Sequence, residues 1–542
     1  MIDHRQDDHL FEQNQENLNI IENLDKIRFL SVESVSRKKY TGIVYDLKIE
    51  NTKNYQTKFG IVHNGGKRKG AAAIYLDTWH PDIMEFLELR DNTGDKERRA
   101  HNLNLANWIP DLFMQRVKED KEWSLIDPSV APELSDLYGE DFEKLYLQLE
   151  LENKIVRKES ARKIYARMMR TLAETGNGWM CFKDISNIAC NSATNGRVVH
   201  SSNLCTEILE PTNSEEVSVC NLGSLNLTHY VKDGKLDKSK LKKNIQLAVK
   251  FLDRVIDRNF YPIQEAEKSN KSLRPVGLGI MGMQDLLYQM KLPFESEEAI
   301  AMSAEIQEEI YYWATKTSCD LAKEFGSYPD FKESKIAKTG KFHYEYFNVK
   351  PKNIKRFDEL KEEIKQHGLR NSLLIAIAPT ATIASIVGAE DCIESTKEHI
   401  YKKVTLSGDL VLVNKWLVKD LKELSLWNKD ITNKIIINNG SIQGISEIPE
   451  DIQKLYKTVW EIKQKTILDH AVARTPFIDQ SQSVNLFVAE PTIEKLSSMY
   501  MYAWERKLKT TYYLRSKAAS KIEKVLTSSS VKKEDEICEV CT

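Results

Sequence analysis

AAAIYLDTWHPDIMEFLEL, residues 71–89, decides the fold class. Its first half, AAAIYLDTW, reads as a buried strand. Its second half, PDIMEFLEL, opens with a proline, which pre-sets the first turn of a helix. The same alternation continues downstream. FEKLYLQLELENKIVRKESARKIYARMMRTLAETG (142–176) has helical periodicity and stops at a glycine, and further helices are expected at 240–257, 297–325, 451–473 and 492–507. Short apolar segments separate them: SLLIAIAP (372–379), KIIINN (434–439), VNLFV (484–488) and TTYYLRS (510–516). Strand–helix alternation over roughly 470 residues predicts an α/β protein.

Composition narrows the function classes. The 542 residues carry 78 Lys+Arg against 80 Asp+Glu, a net charge of -2, with 41% hydrophobic and 29% charged residues. That balance gives no electrostatic reason for nucleic acid or membrane partners. No apolar run is long enough to span a bilayer, and the polar, acidic start (MIDHRQDDHLFEQNQENL) is unlike a signal peptide, so a cytoplasmic location is expected. Eight cysteines, at 181, 190, 205, 220, 319, 392, 538 and 541, are too few for a disulfide scaffold. Only Cys538 and Cys541 form a CxxC, and no second ligand pair completes a zinc site, so no metal is expected in this chain.

Residues 1–64 read as a separate β-rich unit whose first 28 or so residues are polar and weakly patterned. GIVYDLKIE (42–50) alternates like a strand, NTKNY (51–55) reads as a turn, and KFGIVHN (58–64) as a second short strand. The run VYDLKIENTKNYQTKFGIVHN (44–64) resembles the C-terminal end of an intein, a protein-splicing element. In that chemistry an asparagine amide attacks its own backbone carbonyl, while the preceding histidine hydrogen-bonds that carbonyl or protonates the leaving amine. His63 and Asn64 fit those roles. Residue 65 is glycine where full splicing needs Ser, Thr or Cys, so the resemblance implies half of a split intein whose ligation step lacks its usual nucleophile.

SSNLCTEILEPT (201–212) places Asn203 and Glu207 two residues either side of Cys205. In an extended loop, positions i-2, i and i+2 project to one side, so an amide, a thiol and a carboxyl would converge on one ligand. A buried structural cysteine is the commoner explanation of such a pattern. The wider context changes the weighing. SNLCTEI, VSVCNLGSLNL, RPVGLGIMG, HGLRNS, APTATIASIVG, IDQSQSVNLFV and KTTYYLRS follow one another in an order similar to that of class I ribonucleotide reductase large subunits, and the terminal CxxC matches as well. The likeness runs from about Gly65 to Thr542.

This resemblance implies a fold and a set of roles. Residues 65–527 would be the C-terminal part of a ten-stranded α/β barrel, with the radical cysteine on a central finger loop, and 528–542 a flexible redox-active tail. Cys205 would carry the thiyl radical that abstracts the ribose 3′ hydrogen, Glu207 would take the 3′-hydroxyl proton, and Asn203 would bind the ribose hydroxyls. Cys220 would be one of two cysteines that supply reducing equivalents. Tyr512 and Tyr513 would relay the radical to Cys205. Thr380, Ala381 and Thr382, at a turn that opens a helix, would hold the substrate diphosphate. Arg68, in GGKRKG, would contact the base. Cys538 and Cys541 would reduce the active-site disulfide and be re-reduced by a thioredoxin or glutaredoxin.

The expected partners follow from the same likeness. No cofactor is expected in this chain. The radical would come from a metal-containing small subunit, and ATP or dNTP effectors would bind mostly to the part that precedes GGKRKG in the family. The chain would then need an N-terminal large-subunit fragment bearing the other intein half. Made alone, a barrel without its first strands would expose unpaired edges and is expected to aggregate. Two other readings are a splicing precursor inactive until processed, and a degenerate fragment acting as a binding or regulatory module.

Overall fold

The computed structural model describes residues 54–57, 60–63, 70–405 and 408–517. The sequence readings for 1–28 and 42–50, and those for Asn64, Arg68, Cys538 and Cys541, fall outside the described residues. The chain divides into two units, Met1–Arg68 and Lys69–Thr542.

In the first unit, strands Asn54–Thr57 and Gly60–His63 form an antiparallel hairpin in which Asn54 faces His63 and Thr57 faces Gly60. Asn54 and Tyr55 therefore belong to a strand, not to the turn expected at 51–55. Pairing with His63 and Val62 needs both residues extended, and this moves the reversal to between Thr57 and Gly60.

The second unit begins with the strand and helix its opening stretch predicts, but the strand is not buried: Ile74 is exposed, because among the described residues the strand pairs on one side only. Strand Ala72–Asp77 leads into helix Ile83–Glu88, which buries Ile83, Phe86 and Leu87, the i, i+3, i+4 face. The strand pairs in parallel with Leu103–Ile109, and that one with Trp179–Phe182. Helices Lys238–Arg258, Glu297–Phe325 and Ile493–Glu505 lie where the periodicity puts them.

Three expected elements differ. The helix over 142–176 is two helices, Gly139–Leu151 and Ala161–Thr175, separated by strand Arg157–Ser160. That strand pairs with Glu122–Leu125, whose Trp123 and Leu125 are fully buried. Ser160 then starts the second helix by accepting from Lys163 N. The helix over 451–473 is also broken, into Glu450–Leu455 and Gln464–Arg474. Tyr456 leaves the helix there, stacks on Tyr288 with ring centroids 4.4 Å apart, and donates to Asp420 Oδ2 at 2.7 Å. KIIINN is not a strand: it ends helix Lys429–Ile437, because Ile431 and Ile435 share one buried face with Leu417 and Leu421.

Two of the remaining pairs are antiparallel hairpins, Val231–Lys232 with Lys235–Leu236 and Ile400–Thr405 with Gly408–Val413, and two are short and parallel. Leu222–Asn226 pairs with Gly277–Met281, and Leu486–Phe487 with Leu514–Arg515. Single backbone bonds join these pieces: Val276 N to Leu373 O, Leu278 N to Leu374 O, the Ile377–Gln482 bridge, and the Cys181–Thr510 bridge. The result is a mixed α/β unit, and no closed ten-stranded barrel forms among the described residues. One glycine of RPVGLGIMG has a packing reason. A Cβ on Gly279 would sit 2.6 Å from Ala376 O, so only hydrogen allows this close strand approach. No helix of the described residues is long and apolar enough to cross a membrane.

Candidate functional site

Asn203, Cys205 and Glu207 are brought together, though not by an extended loop. The chain turns at 204–206, and Thr206 adopts φ +66°, a left-handed conformation rare for a β-branched residue. This turn, not strand alternation, lets Asn203 Nδ2 donate to Glu207 Oε1 at 2.9 Å. Strain of this kind costs about 1–3 kcal/mol and persists only where neighbours hold it. Here Thr510 Oγ1 donates to Thr206 O at 2.7 Å and shares a 2.6 Å bond with Ser481 Oγ.

The 481–483 segment forms the floor of the turn. Ser481 N donates to Glu207 O at 2.8 Å, and Ser483 Oγ donates to Cys205 O at 2.5 Å and Glu207 Oε2 at 3.3 Å. From the opposite side of the sequence, Tyr75 OH donates to Asn203 O at 2.8 Å. Ser202 Oγ donates to Ile208 O at 2.6 Å, a bond that closes the loop. Burial pushes the Glu207 carboxyl up to about 7, with the bonds from Asn203 and Ser483 partly opposing it. A carboxyl poised there can hold or accept a proton near neutral pH.

Tyr512 reaches this turn from the last strand region. Its OH lies 3.6 Å from Cys205 Sγ. Tyr513 follows with ring centroids 4.3 Å apart at 56°, and Trp179 touches both rings, at 4.9 and 5.3 Å. Tyr512 is buried and Tyr513 half-buried; Tyr513 OH donates to Asn104 Oδ1 at 3.4 Å. A thiol and two phenols thus stand in one short contact series, with buried Tyr512 between half-buried Cys205 and Tyr513.

Cys220 is exposed, with Sγ 3.9 Å from Asn203 Nδ2. Thr380 is buried at the start of helix Ala381–Val387, and its Oγ1 accepts from Cys392 N at 3.2 Å. Thr380, Ala381 and Thr382 follow directly from Ile377, whose backbone bonds to Ser481 O and from Ser483 N. The helix therefore begins four residues after Ile377, which is hydrogen-bonded to the floor of the Cys205 turn. Residues that sequence reasoning did not single out are Tyr75, Ser483, Lys509 and Glu210. Ser483 and Lys509 lie in quoted motifs, but nothing local marks which of their neighbours face Cys205.

A thiol under a phenol and a paired amide and carboxyl thus share one strained turn of an α/β scaffold. The chain belongs to the ribonucleotide reductase family: the family described as "Ribonucleotide reductase, barrel domain" matches residues 36–514. Among its relatives, the ribonucleoside-diphosphate reductase large chain of Schizosaccharomyces pombe is 44% identical over 481 residues, 88% of this chain and 58% of that protein. The large subunit of Danio rerio is 44% identical over 497 residues, covering 91% and 62%, and that of Variola virus 43% over 511 residues, covering 92% and 65%. The chain thus spans little more than half to about two thirds of the length of these three relatives.

Proposed function

We propose that this chain is the catalytic C-terminal portion of a ribonucleoside-diphosphate reductase large subunit, which makes deoxyribonucleoside diphosphates for DNA synthesis in the cytoplasm. The observation that carries the reading is the contact series Tyr513–Tyr512–Cys205 ending beside Asn203 and Glu207. A sulfur radical on Cys205 takes the ribose 3′ hydrogen, since S–H and C–H bonds are close in strength. Glu207 accepts the 3′-hydroxyl proton and Asn203 holds the hydroxyls. Cys220, with a partner cysteine from another segment, gives two electrons and closes to a disulfide. Thr380, Ala381 and Thr382 hold the diphosphate, and Arg68 reads the base.

The metal-containing small subunit supplies the oxidising equivalent, which Tyr513 and Tyr512 carry inward as coupled electron and proton losses. Cys538 and Cys541 reopen the disulfide by exchange and are renewed by a thioredoxin or glutaredoxin. In this reading residues 1–64 are the C-terminal half of a split intein, 65–527 the barrel part and 528–542 the redox tail. A second chain supplies the N-terminal large-subunit fragment, most of the ATP/dNTP effector site and the other intein half.

Co-expression with a candidate N-terminal chain tests both parts. One ligated mass lacking residues 1–64 would show splicing despite Gly65. Two unligated masses that co-purify and, with a small subunit, reduce a ribonucleoside diphosphate would replace splicing by non-covalent assembly. Co-purification or ligation without any nucleotide reduction would overturn the enzyme reading.

A further inference from the structure

Glu210 is a second carboxyl beside the candidate redox thiols. It is buried, and neither of its oxygens has a partner within hydrogen-bond geometry. The chain reverses just beyond it. Asn213 and Glu216 pair across a bridge, and Ser218 Oγ donates to Pro211 O at 3.0 Å. Carried one step further, this register sets Glu210 opposite Val219 and next to Cys220.

The surroundings leave Glu210 without a charged side-chain partner. Arg197 is taken by Glu216 and Asp330, and Lys268 by Glu215. A carboxyl buried without partners costs stability and contributes none. Burial, partly offset by the nearby Val219 N–H, pushes Glu210 up to about 8. Although Cys220 reaches the surface, desolvation pushes its thiol up, and the charges that add to this are Glu210 first and then Glu207. Among the described residues, these two carboxyls are the titratable groups that bear on the thiol, and the Asn203 amide is its hydrogen-bond donor.

We infer that Glu210 is the proton donor and acceptor for the Cys220 thiol in thiol–disulfide exchange, a role separate from that of Glu207. The inference rests on reading Cys220 as a redox thiol. When a dithiol reductant opens a disulfide that includes Cys220, its thiolate attacks the other sulfur. The S–S bond breaks and Cys220 leaves with the electron pair. The Glu210 carboxyl protonates this thiolate and becomes a carboxylate. The second thiol of the reductant loses its proton to water and attacks the new mixed disulfide. The other cysteine leaves, takes a proton from water, and the reductant ends as a disulfide, two electrons oxidised. Water returns the proton to Glu210. In the oxidising direction the Glu210 carboxylate receives the thiol proton.

The chain, co-purified with a candidate N-terminal chain and converted to the mixed disulfide with glutathione, is reduced with dithiothreitol from pH 6 to 10. The mass of the Cys220 peptide reports release, and the peptide holding Cys538 and Cys541 is the internal reference. Glu210→Gln is expected to slow Cys220 release about tenfold at pH 7. It should leave the tail peptide unchanged, with the gap closing above pH 9. Equal rates at pH 7, or a gap that does not depend on pH, would overturn the inference. Should that variant not fold, the unsubstituted chain decides. After correction for thiolate content, a rate that falls through pH 8 supports the role and a flat rate overturns it. The assay needs no nucleotide, radical or small subunit, so a failure of nucleotide reduction alone would leave this result standing and remove only the proposed function.

Discussion

The Tyr512 hydroxyl lies 3.6 Å from Cys205 Sγ, and the next residue, Tyr513, stacks against it with centroids 4.3 Å apart. Removing either hydroxyl keeps the ring packing against Trp179 but, in the proposed relay, takes away the proton that each tyrosine would lose with its electron. Tyr512→Phe and Tyr513→Phe should each lower ribonucleoside diphosphate reduction at least about a hundredfold. Their apparent melting temperatures should stay close to that of the unsubstituted chain. Substantial activity in Tyr512→Phe, measured in the assembled enzyme, would remove the relay.

How much of this site was legible depends on the residue. Asn203, Cys205 and Glu207 stand within five positions, so their association was readable from SNLCTEI. The geometry was not, because Thr206 reverses the chain through a left-handed conformation that no local rule assigns to threonine. Ser483 shares a motif with nothing obviously catalytic, yet it touches Cys205 from 278 positions away. The helix 142–176 was misread for a related reason: pairing of Arg157–Ser160 with Glu122–Leu125 outweighs local helical periodicity. The glycines of RPVGLGIMG are a bare pattern in the sequence, and only the structure gives their reasons: close neighbours at Gly277 and Gly279 and a positive φ at Gly282.

The close neighbours of Gly279 give a steric prediction. A methyl group on Gly279 would meet the Ala376 carbonyl oxygen at 2.6 Å and Ile377 Cα at 3.2 Å, and both are backbone atoms of a buried neighbour. Nothing flexible can yield. Gly279→Ala should cost about 3 kcal/mol or more, seen as a lowered urea midpoint or loss of soluble protein. A normal midpoint would mean that the strands can part without cost.

The pH dependence of activity should carry the signature of Glu207. Burial raises it to about 7, and as a base it works only when deprotonated. Nucleotide reduction at saturating substrate should therefore rise through about pH 7 and level off above it. Glu207→Gln should lose this limb together with at least about a hundredfold in rate. A profile flat from pH 6 to 8 would assign the base elsewhere.

The stability that these buried carboxyls contribute should run the other way above neutrality. Glu207 and Glu210 bind protons more tightly folded than unfolded, so their contribution is full below about 4.5 and is lost as pH rises through about 7 and 8. Buried His399 and His470 are depressed to about 4 and about 3, so their contribution grows with pH and is complete above their ordinary value of 6.5. From pH 6.5 to 8.5 only the carboxyl contribution changes among these four. Across that window Lys509, pushed down to about 7, adds stability as pH rises, while Glu390, raised to about 8, loses it as Glu210 does, so the comparison between variants decides. Relative to the unsubstituted chain, the apparent melting temperature of Glu210→Gln should rise from pH 6.5 to 8.5, and two curves that stay parallel would contradict the burial of Glu210.

Lys509 ties the relay segment to the floor of the site. Its buried amine donates to Ile478 O at 2.9 Å, Asp479 O at 3.2 Å and Gln480 O at 2.5 Å, and lies 2.8 Å from His343 Nε2. Asp479 in turn accepts from Leu374 N and Ile375 N, at 2.9 and 2.7 Å. Burial pushes Lys509 down and Asp479 up, and each charge partly offsets the other. Lys509→Met has similar length but leaves three carbonyls unsatisfied, at about 1–3 kcal/mol for a buried acceptor. It should lower stability by about 3 kcal/mol or more. It should also reduce kcat more than KM, because the 509–513 segment carries Tyr512 and Tyr513 and not the diphosphate contacts. Lost stability with kcat intact would confine Lys509 to holding the fold, whereas a fall in kcat at full substrate affinity would tie the amine to the Tyr512–Cys205 contact.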